Sequence, residues 1–398
     1  MKKRVLIIPD AVMSDASGAV VAQVVRDQLV EMGHKVGVFS SDIENDFESE
    51  GVSYYNSIAY TGSSNFKPGV YKERCRQVYD VFKPYVVLTL GSITNKPICY
   101  VEEALKRRYI VSVFIFMQDF FCSKIYANDA NGPCTKCLDN GLCAAFKNTC
   151  GVRSQLGFIR LTQRVITRKM WKKVLPKVNH VATTTREQMS FYERFGIPKE
   201  KHSVLYLPFA SDKLNGIKPE RGDYFIGIAQ DRVEKGFQFI PQILKHTSCK
   251  VVLAYSNEDK VKRVSQNPEL RQFLETDQLQ VVASSWNTDL GEMIAKSCGV
   301  IIPSIWPTTT EYGWLEAMSL SKPVCCFDIS AHHEFIKNGV NGFVSPLDNY
   351  AAFANNMESL LSLNDNDYMV ISNQSRALFD RLTDVITLRN QLNNLLRA

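Results

Sequence analysis

The segment from Pro303 to Met318 carries groups that suit an oxygen-rich, anionic ligand. An apolar strand pattern precedes it and a helical pattern follows, so we expect a strand-to-helix turn here. Glu311 would suit the positive end of the helix dipole, and the first backbone amides of such a helix bind phosphate well. Glu316 can accept hydrogen bonds from paired sugar hydroxyls. The candidate amides are those of Tyr312, Gly313, Trp314 and Leu315. The candidate helix caps are Thr308, Thr309 and Thr310. An ordinary capping arrangement is the alternative interpretation.

The elements that must position this turn alternate between strands and helices. The apolar run of residues 4–8, a small-residue loop, a helix and a second strand form a βαβ unit, and the α/β pattern continues to about Asp119. A second α/β series begins near Tyr224. This pattern predicts two doubly wound, Rossmann-like domains, with the active site in the cleft between them at the carboxyl ends of the strands.

Composition shifts along the chain predict the domain limits. Residues 1–209 form the N-terminal, acceptor-side domain, interrupted by a cysteine-rich insertion at about 120–150. A linker rich in Gly, Pro and Asn follows residue 209, so residues 210–380 form the C-terminal, donor-binding domain. Residues 381–398 form a C-terminal helix.

The totals indicate a globular protein of two or three domains. The chain has 398 residues, of which 45% are apolar and 22% charged, and no run of 18 apolar residues occurs. The apolar run after the first basic residues is too short for the core of a signal peptide. We therefore expect a cytoplasmic protein.

Several motifs resemble those of retaining glycosyltransferases of family four, which have the GT-B fold. The family has a Pro-Ser strand end, a glutamate, an aromatic-Gly pair, and a second glutamate followed by Ala-Met. Here these appear as Pro303-Ser304, Glu311-Tyr312-Gly313 and Glu316-Ala317-Met318. Residues 321–348 resemble the family's Pro-Val strand and Asn-Gly loop, and residues 227–244 its Lys-Gly segment. Residues 17–41 are similar to its glycine loop and first helix, so the likeness covers essentially the whole chain.

The resemblance implies transfer of a sugar from a UDP- or GDP-sugar to a polysaccharide, lipopolysaccharide or lipid-linked glycan. Arg232 and Lys235 would grip the donor diphosphate, and Gly18 would let the backbone approach it. No Asp-x-Asp motif is present, and these cations make a catalytic divalent metal unnecessary. The leaving phosphate would help to deprotonate the acceptor hydroxyl on the same face of the sugar. The C-terminal helix would cross back to the N-terminal domain.

The sequence departs from the family pattern at several positions. The family's first glutamate lies eight residues before the second, where this chain has Thr308. Either Glu311 does its work from a shifted turn, which we favour, or the Thr308 hydroxyl replaces it. Gln118 stands where the family has a histidine; it would orient the sugar or be a plain core amide. The adjacent Asp119 would contact the acceptor or act as a base, or instead cap a helix or form a salt bridge.

Three further residues near these motifs need separate expectations. The family's arginine would fall at Gln230, whereas Arg232 lies two residues later, so Arg232 is the candidate and an exposed charge is the alternative. His332 and His333 open the helix after the Pro-Val strand, and we expect both to bind nothing.

Two other functions remain open. A nucleotide-sugar 2-epimerase on the same fold would need several acidic and histidine residues around the sugar, and these are sparse. A non-catalytic partner subunit, held together by a bound metal, would not need the family's catalytic residues. This would explain the changed glutamate spacing and Gln118.

Five of the eleven cysteines cluster in the insertion. In a cytosolic chain this density favours a metal over disulfides. We expect structural Zn²⁺, ahead of an iron–sulfur cluster, in a segment that has no core of its own. The expected ligands are Cys134, Cys137, Cys143 and Cys150, with Cys122 as a rival. Free thiols, or a disulfide formed on oxidation, are the alternative.

A basic helix is predicted over residues 155–175. Between Asn140 and Arg186 there are ten Lys and Arg residues and no Asp or Glu, although the net charge of the chain is only +6. Arg160, Arg164 and Arg168 recur at i+4 and should share one face. The helix therefore suits an anionic membrane surface, with a core helix bearing a solvated basic face as the alternative. No nucleic-acid recognition pattern accompanies it.

Overall fold

Strands and helices alternate through the chain and divide it into two α/β units, as predicted. The structure is a computed structural model that describes residues 2–14, 17–59, 65, 68–129, 132–150, 152, 154–210, 214 and 216–397. Unit 1 comprises Met1–Ala127, Cys134–Phe209 and Thr383–Ala398. Unit 2 comprises Asn128–Pro133 and Ala210–Leu382.

The strands and helices are listed in chain order. The strands are β1 (Arg4–Ile8), β2 (Lys35–Ser40), β3 (Phe47–Ser49), β4 (Val52–Asn56), β5 (Val86–Leu90), β6 (Ile110–Phe114), β7 (Asn128–Asp129), β8 (Gly132–Pro133), β9 (His180–Thr183), β10 (His202–Val204), β11 (Tyr224–Ile228), β12 (Lys250–Tyr255), β13 (Leu279–Ala283), β14 (Gly299–Ile302), β15 (Val324–Phe327) and β16 (Gly342–Ser345). The helices are α1 (Ser17–Glu31), α2 (Gly69–Phe82), α3 (Ile98–Lys106), α4 (Lys136–Asp139), α5 (Ala144–Lys147), α6 (Gln155–Val174), α7 (Arg186–Phe195), α8 (Ile240–Leu244), α9 (Glu258–Ser265), α10 (Arg271–Glu275), α11 (Leu290–Ala295), α12 (Tyr312–Ser319), α13 (Ala331–Phe335), α14 (Tyr350–Ser362), α15 (Asp365–Leu382) and α16 (Val385–Leu395).

The sheet of unit 1 has the strand order β10-β9-β6-β5-β1-β2-β4-β3. All its pairs are parallel except β3 with β4. Strands β1, β5 and β6 are almost wholly buried, which explains their continuous apolar sequences. The order reverses between β1 and β5, so their carboxyl ends flank the switch point at which doubly wound sheets bind ligands.

The sheet of unit 2 has the strand order β13-β12-β11-β14-β15-β16, and all its pairs are parallel. Its switch point lies between β11 and β14. The loops that follow β11, β14 and β15 therefore emerge at one edge of this sheet, next to that point. The segments 229–236 and 303–311 are two of these loops.

Helix α16 packs on unit 1, which confirms that the C-terminal helix returns to the N-terminal part of the chain. The Ser112 hydroxyl in β6 donates to the Leu395 carbonyl at 2.5 Å, and the Lys3 ammonium donates to the Leu396 carbonyl at 2.5 Å. The Tyr206 amide donates to Oε1 of Gln391 at 3.0 Å. The end of the chain is thus part of the structure of unit 1.

Helix α6 forms as predicted, but its basic residues do not share one exposed face. Arg160 and Arg164 are exposed, whereas Arg168 is buried. The guanidinium of Arg168 donates to the Cys122 carbonyl from Nε at 3.0 Å and from Nη2 at 2.6 Å. Arg168 thus satisfies a buried carbonyl of the irregular segment after β6, which is a structural role that helical periodicity alone does not reveal.

The structure does not support the predicted four-thiolate metal site in the cysteine-rich segment. All five cysteines of the segment are described, and no group of three or more His, Cys, Asp or Glu side chains in the described residues is placed to hold a metal ion. Cys122 is buried, Cys143 is exposed, and none of the eleven cysteines, all of which are described, forms a disulfide. The four expected ligands were Cys134, Cys137, Cys143 and Cys150.

Apolar packing anchors this segment instead. The Phe120 ring lies 4.8 Å from the Tyr192 ring and 5.3 Å from the Phe195 ring, measured between centroids. Leu142 and Ala145 are buried in the same core cluster of unit 1. The segment is thus anchored by the core of its unit.

In the parts of the chain that the structure describes, no helix is both long enough and apolar enough to cross a bilayer.

Candidate active site

The turn between β14 and α12 places Glu311 at the start of α12. Glu311 is the N-cap residue, with φ −113° and ψ 132°, but its side chain does not cap the helix. The expectation that a threonine caps α12 is therefore wrong. Thr308 and Thr309 are instead buried in the turn, and Thr310 is half-buried. The Glu311 side chain turns inward, toward the preceding part of the turn.

The Glu311 carboxylate is the centre of a buried polar cluster, and the side chain that carries it is almost inaccessible to solvent. Its Oε1 accepts hydrogen bonds from the Ser304 hydroxyl at 2.8 Å and from the Trp306 indole N–H at 3.0 Å. The same oxygen accepts from the Lys235 ammonium at 3.0 Å. The cluster is thus built from the strand end and the turn that the motif comparison singled out.

The loop after β11 brings Lys235 to this carboxylate. A 3-10 helix at Val233–Lys235 ends at Gly236, whose φ of 73° is left-handed. A Cβ on Gly236 would lie 1.7 Å from the Pro303 carbonyl oxygen. The loop therefore lies directly against the end of β14, and glycine is required for that approach. This explains why Lys235 and Gly236 occur as a pair.

Electrostatics keep Glu311 ionised. Burial raises the pKa of the Glu311 carboxyl, but the Lys235 ammonium and the His332 imidazole outweigh burial and hold the pKa well below its ordinary value. The Lys235 side chain retains 19% exposure, so its cation is paired on one side and accessible on another. Such a half-paired cation suits an anionic ligand such as a diphosphate.

His332 belongs to this cluster, and the expectation that it binds no ligand stays a prediction. The residue is buried, its Nδ1 lies 3.0 Å from the Phe327 carbonyl, and its Nε2 lies 3.9 Å from Oε2 of Glu311. His333 is exposed and pairs with Asp328 at 2.9 Å. The signal for His332 was its place after β15, the neighbour of β14, because the loops after both strands meet at one edge of the sheet.

The other predicted donor-site residues of unit 2 lie around this cluster. Arg232 is exposed and forms an ion pair with Glu234 at 2.7 Å. The Thr308 hydroxyl is buried and has no hydrogen-bond partner among the described residues.

Helix α12 itself presents a mixed surface. Tyr312, Gly313 and Glu316 are half-buried, whereas Trp314 and Leu315 are buried in the core. The Leu315 amide, one of the four candidates for binding phosphate, instead donates to the Glu311 carbonyl at 3.5 Å. The roles of these residues in binding a donor stay predictions.

Unit 1 brings a second group of predicted residues to the edge of its own sheet. Gln118 and Asp119 follow β6 and are fully buried. Oδ2 of Asp119 accepts from the Ser92 hydroxyl at 2.5 Å, from the Thr94 amide at 2.9 Å and from the Thr94 hydroxyl at 2.9 Å. Its Oδ1 has no hydrogen-bond partner within the described ranges. Asp119 therefore ties the loop after β6 to the loop after β5.

Sequence reasoning missed the charged pair beside this loop. The Lys96 ammonium donates to Oδ1 of Asp10 at 2.5 Å, and the Ser92 amide donates to Oδ2 of Asp10 at 2.8 Å. Burial raises the pKa of Asp10, and Lys96 opposes that rise. The available signal was positional, since Asp10 follows β1 and Lys96 follows β5, the two strands that flank the switch point.

Gly18 is the second residue of α1, the helix that follows β1. A Cβ at this position would meet only the Phe116 ring, at 3.9 Å, which is an ordinary contact. No contact within the described structure therefore demands glycine here, and its approach to donor phosphates stays a prediction.

Known proteins share both the sequence signature of unit 2 and the fold. Residues 225–363 match the family described as Glycosyl transferases group 1. Sucrose-phosphate synthase from Thermosynechococcus elongatus is similar with a TM-score of 0.71 at 12% identity, covering 99% of this chain and 98% of the other. HepE of Anabaena, solved in complex with UDP-glucose, gives 0.65 at 11% identity and 99% of both chains.

WaaG, described as a glycosyltransferase involved in lipopolysaccharide biosynthesis, gives a TM-score of 0.65 at 12% identity, covering 99% of this chain and 100% of the other. No curated protein matches the sequence. At these identities the solved structures establish the fold, and the family match covers the segment that holds Lys235, Glu311 and His332. The chain therefore has the GT-B fold, and its residues 225–363 match the glycosyl transferases group 1 family.

Proposed function

We propose that this protein is a retaining glycosyltransferase that moves a sugar from a nucleotide-diphosphate sugar to a glycan or lipid-linked glycan. The observation that carries the proposal is the Lys235 ammonium, which Glu311 fixes beside the start of α12 at the switch point of unit 2, on a side chain that keeps 19% exposure. A cation and a helix start together provide the positive potential that a diphosphate requires. The UDP-glucose bound to Anabaena HepE supports a nucleotide-sugar as the donor class.

The proposed reaction exchanges one bond at the anomeric carbon for another. The bond from that carbon to the diphosphate oxygen breaks, and the acceptor oxygen forms the new bond on the same face of the sugar. The acceptor proton passes to the leaving diphosphate, so no strong side-chain base is needed. Lys235 would neutralise the charge that develops on the leaving group, while Glu316 would hold hydroxyls of the donor.

Release of nucleoside diphosphate tests this function. Purified protein, supplied with a panel of UDP- and GDP-sugars and with glycan extracts as acceptors, should release UDP or GDP from one donor. NMR of the product should show the donor's anomeric configuration at the new linkage. The Glu316→Ala variant should remain folded and lose donor binding, since it removes the acceptor for the sugar hydroxyls.

Other outcomes would identify the alternatives. Formation of an epimeric nucleotide-sugar without release of diphosphate would indicate a 2-epimerase. Donor binding without turnover, with every acceptor extract tried, would indicate a non-catalytic subunit. A Glu316→Ala protein that binds and turns over donor normally would refute the assigned site.

We further propose that α6 binds an anionic membrane surface, where a lipid-linked acceptor would be found. Phe158 and Ile159 are 55% and 54% exposed, and Ile166 is 40% exposed. Ile159, Ile166 and the exposed Lys173 recur every seven residues and share one face. Apolar side chains bordered by lysine and arginine are typical of helices that lie in the interface of a bilayer.

Vesicle sedimentation tests the membrane proposal. The protein should bind vesicles of phosphatidylcholine with one quarter phosphatidylglycerol, and added salt should weaken the binding. The double variant Ile159→Asn, Ile166→Asn should reduce partitioning by about tenfold or more, because two apolar side chains no longer enter the interface. The matched control is Val70→Asn, Val81→Asn, whose side chains on α2 are 65% and 68% exposed. Equal loss in both double variants would contradict a specific role for α6.

A further inference from the structure

His332 lies where it can set the orientation of Glu311. Its Nδ1 faces the Phe327 carbonyl at 3.0 Å, and a carbonyl can only accept, so Nδ1 carries the proton. The opposite nitrogen, Nε2, then faces Oε2 of Glu311 at 3.9 Å and has no hydrogen-bond partner among the described residues. If His332 were neutral, Nε2 would carry a lone pair. That lone pair would face the negatively charged Glu311 carboxylate in a buried site, which is unfavourable.

Two titratable groups face the imidazole. They are the Glu311 carboxylate, from the turn before α12, and the Cys326 thiol, from β15. Burial lowers the pKa of His332, but Cys326 and Glu311 outweigh burial and raise the pKa to about 10. The Glu311 carboxylate that faces Nε2 therefore favours the imidazolium form of His332.

The two oxygens of Glu311 therefore face different cations. Oε1 accepts from the Lys235 ammonium at 3.0 Å, and Oε2 faces His332. The Ser304 hydroxyl lies within hydrogen-bond distance of both oxygens, at 2.8 and 3.0 Å, and fixes the plane of the carboxylate. With Lys235 at Oε1 and a positively charged His332 at Oε2, the Glu311 carboxylate has a cation on each side. Turning the carboxylate out of its plane would separate an oxygen from its cation.

We propose that His332, as an imidazolium, is a positioning residue that holds Glu311 and thereby places the Lys235 ammonium for the donor diphosphate. The inference rests on the proposed role of Lys235 in donor binding. His332 does not touch the donor in this account; it acts through Glu311.

A double-mutant cycle tests the proposal, with UDP and GDP as the probes and calorimetry as the measurement. His332→Gln, which cannot carry charge, should weaken binding of the preferred nucleotide by about tenfold. In a Glu311→Gln background the same change should alter Kd by less than about twofold, because its target is gone. His333→Gln is the matched control, since His333 is exposed, and should bind as the wild type does.

The charge of His332 is measured separately on the wild-type protein. Labelled histidines followed by NMR, with the His332 signal identified by its loss in His332→Gln, should show an imidazolium at pH 8. The pKa of His332 should fall in Glu311→Gln. This measurement needs no ligand. Where the His332→Gln protein folds poorly, substitution of the other histidines one at a time identifies the His332 signal as the one that remains. Titration of His332 in the wild type below about pH 7 would overturn the proposal.

The binding results separate this inference from the function on which it rests. If Lys235→Ala loses nucleotide binding while His332→Gln binds as the wild type does, the positioning role of His332 is refuted and the donor site stands. An equal loss for His332→Gln in both backgrounds would show a general structural effect and likewise refute it. If the wild type binds neither nucleotide, or Lys235→Ala binds normally, the donor role of Lys235 fails and the inference fails with it.

Discussion

Replacing Lys235 by alanine is expected to weaken binding of a nucleoside diphosphate by about 1.5–3 kcal/mol, the usual value of a hydrogen bond to a charged group. The reason is that the Lys235 ammonium is held 3.0 Å from Glu311 yet remains 19% exposed, so its free side can contact phosphate oxygens. Isothermal titration calorimetry with UDP and GDP measures the effect.

Two companion variants make this result interpretable. Lys235→Ala leaves the buried Glu311 carboxylate without its main cation, which by itself destabilises unit 2. The double variant Lys235→Ala, Glu311→Gln removes both charges and should recover stability without recovering nucleotide binding. Lys250→Ala is the control, because Lys250 is exposed and begins β12, at the opposite edge of the same sheet. Nucleotide affinity that survives in Lys235→Ala would remove this residue from the donor site.

Gly236→Ala is expected to lower the free energy of unfolding of unit 2 by about 2–5 kcal/mol. A left-handed φ of 73° costs a residue with a Cβ about 1–2 kcal/mol. The new Cβ would also lie 1.7 Å from the Pro303 carbonyl oxygen, and relief of such overpacking typically costs about 1–3 kcal/mol more. The loop must then move off the end of β14 and take Lys235 with it, so nucleotide binding should be lost as well.

Gly339→Ala is a closely matched control for this change. Gly339 has a φ of 71°, but nothing lies within 4 Å of its Cβ position. It should show the backbone cost alone, about 1–2 kcal/mol. Urea unfolding followed by tryptophan fluorescence suits the comparison, because Trp286, Trp306 and Trp314 all lie in unit 2. Equal destabilisation by the two substitutions would contradict the contact between Gly236 and Pro303.

The fold could be predicted from the sequence because its strands are buried on both faces. Continuous apolar runs such as that of β1 have few other interpretations when helical patterns separate them. The order of the strands, and hence the position of each switch point, follows from no local pattern and was not predicted. The periodicity of a helical sequence shows which face of the helix is apolar. It does not show which polar group of the rest of the protein packs against that helix, so the burial of Arg168 against the Cys122 carbonyl was not predicted.

The candidate site was predicted in its residues but not in its arrangement. Lys235, Glu311 and Glu316 were chosen by their motifs, yet the contact between Lys235 and Glu311 joins residues 76 positions apart. The inward turn of Glu311 depends on Ser304 and Trp306, whose side chains stabilise a carboxylate that would otherwise cap α12. His332 was dismissed because a histidine in a loop gives no local signal of burial. The cysteine cluster misled for a related reason, since the density of thiols in sequence says nothing about where their sulfur atoms point.

The return of α16 to unit 1 has a consequence for biosynthesis. The Lys3 side chain and the Leu396 carbonyl that it contacts are 393 residues apart in sequence. At roughly 5–20 residues per second, a ribosome needs on the order of tens of seconds to make the intervening chain. The surface of β6, β10 and α1 that α16 covers stays open until α16 itself has been made, which is after most of unit 2. Lys3 and its neighbours therefore reach their native surroundings only late in synthesis.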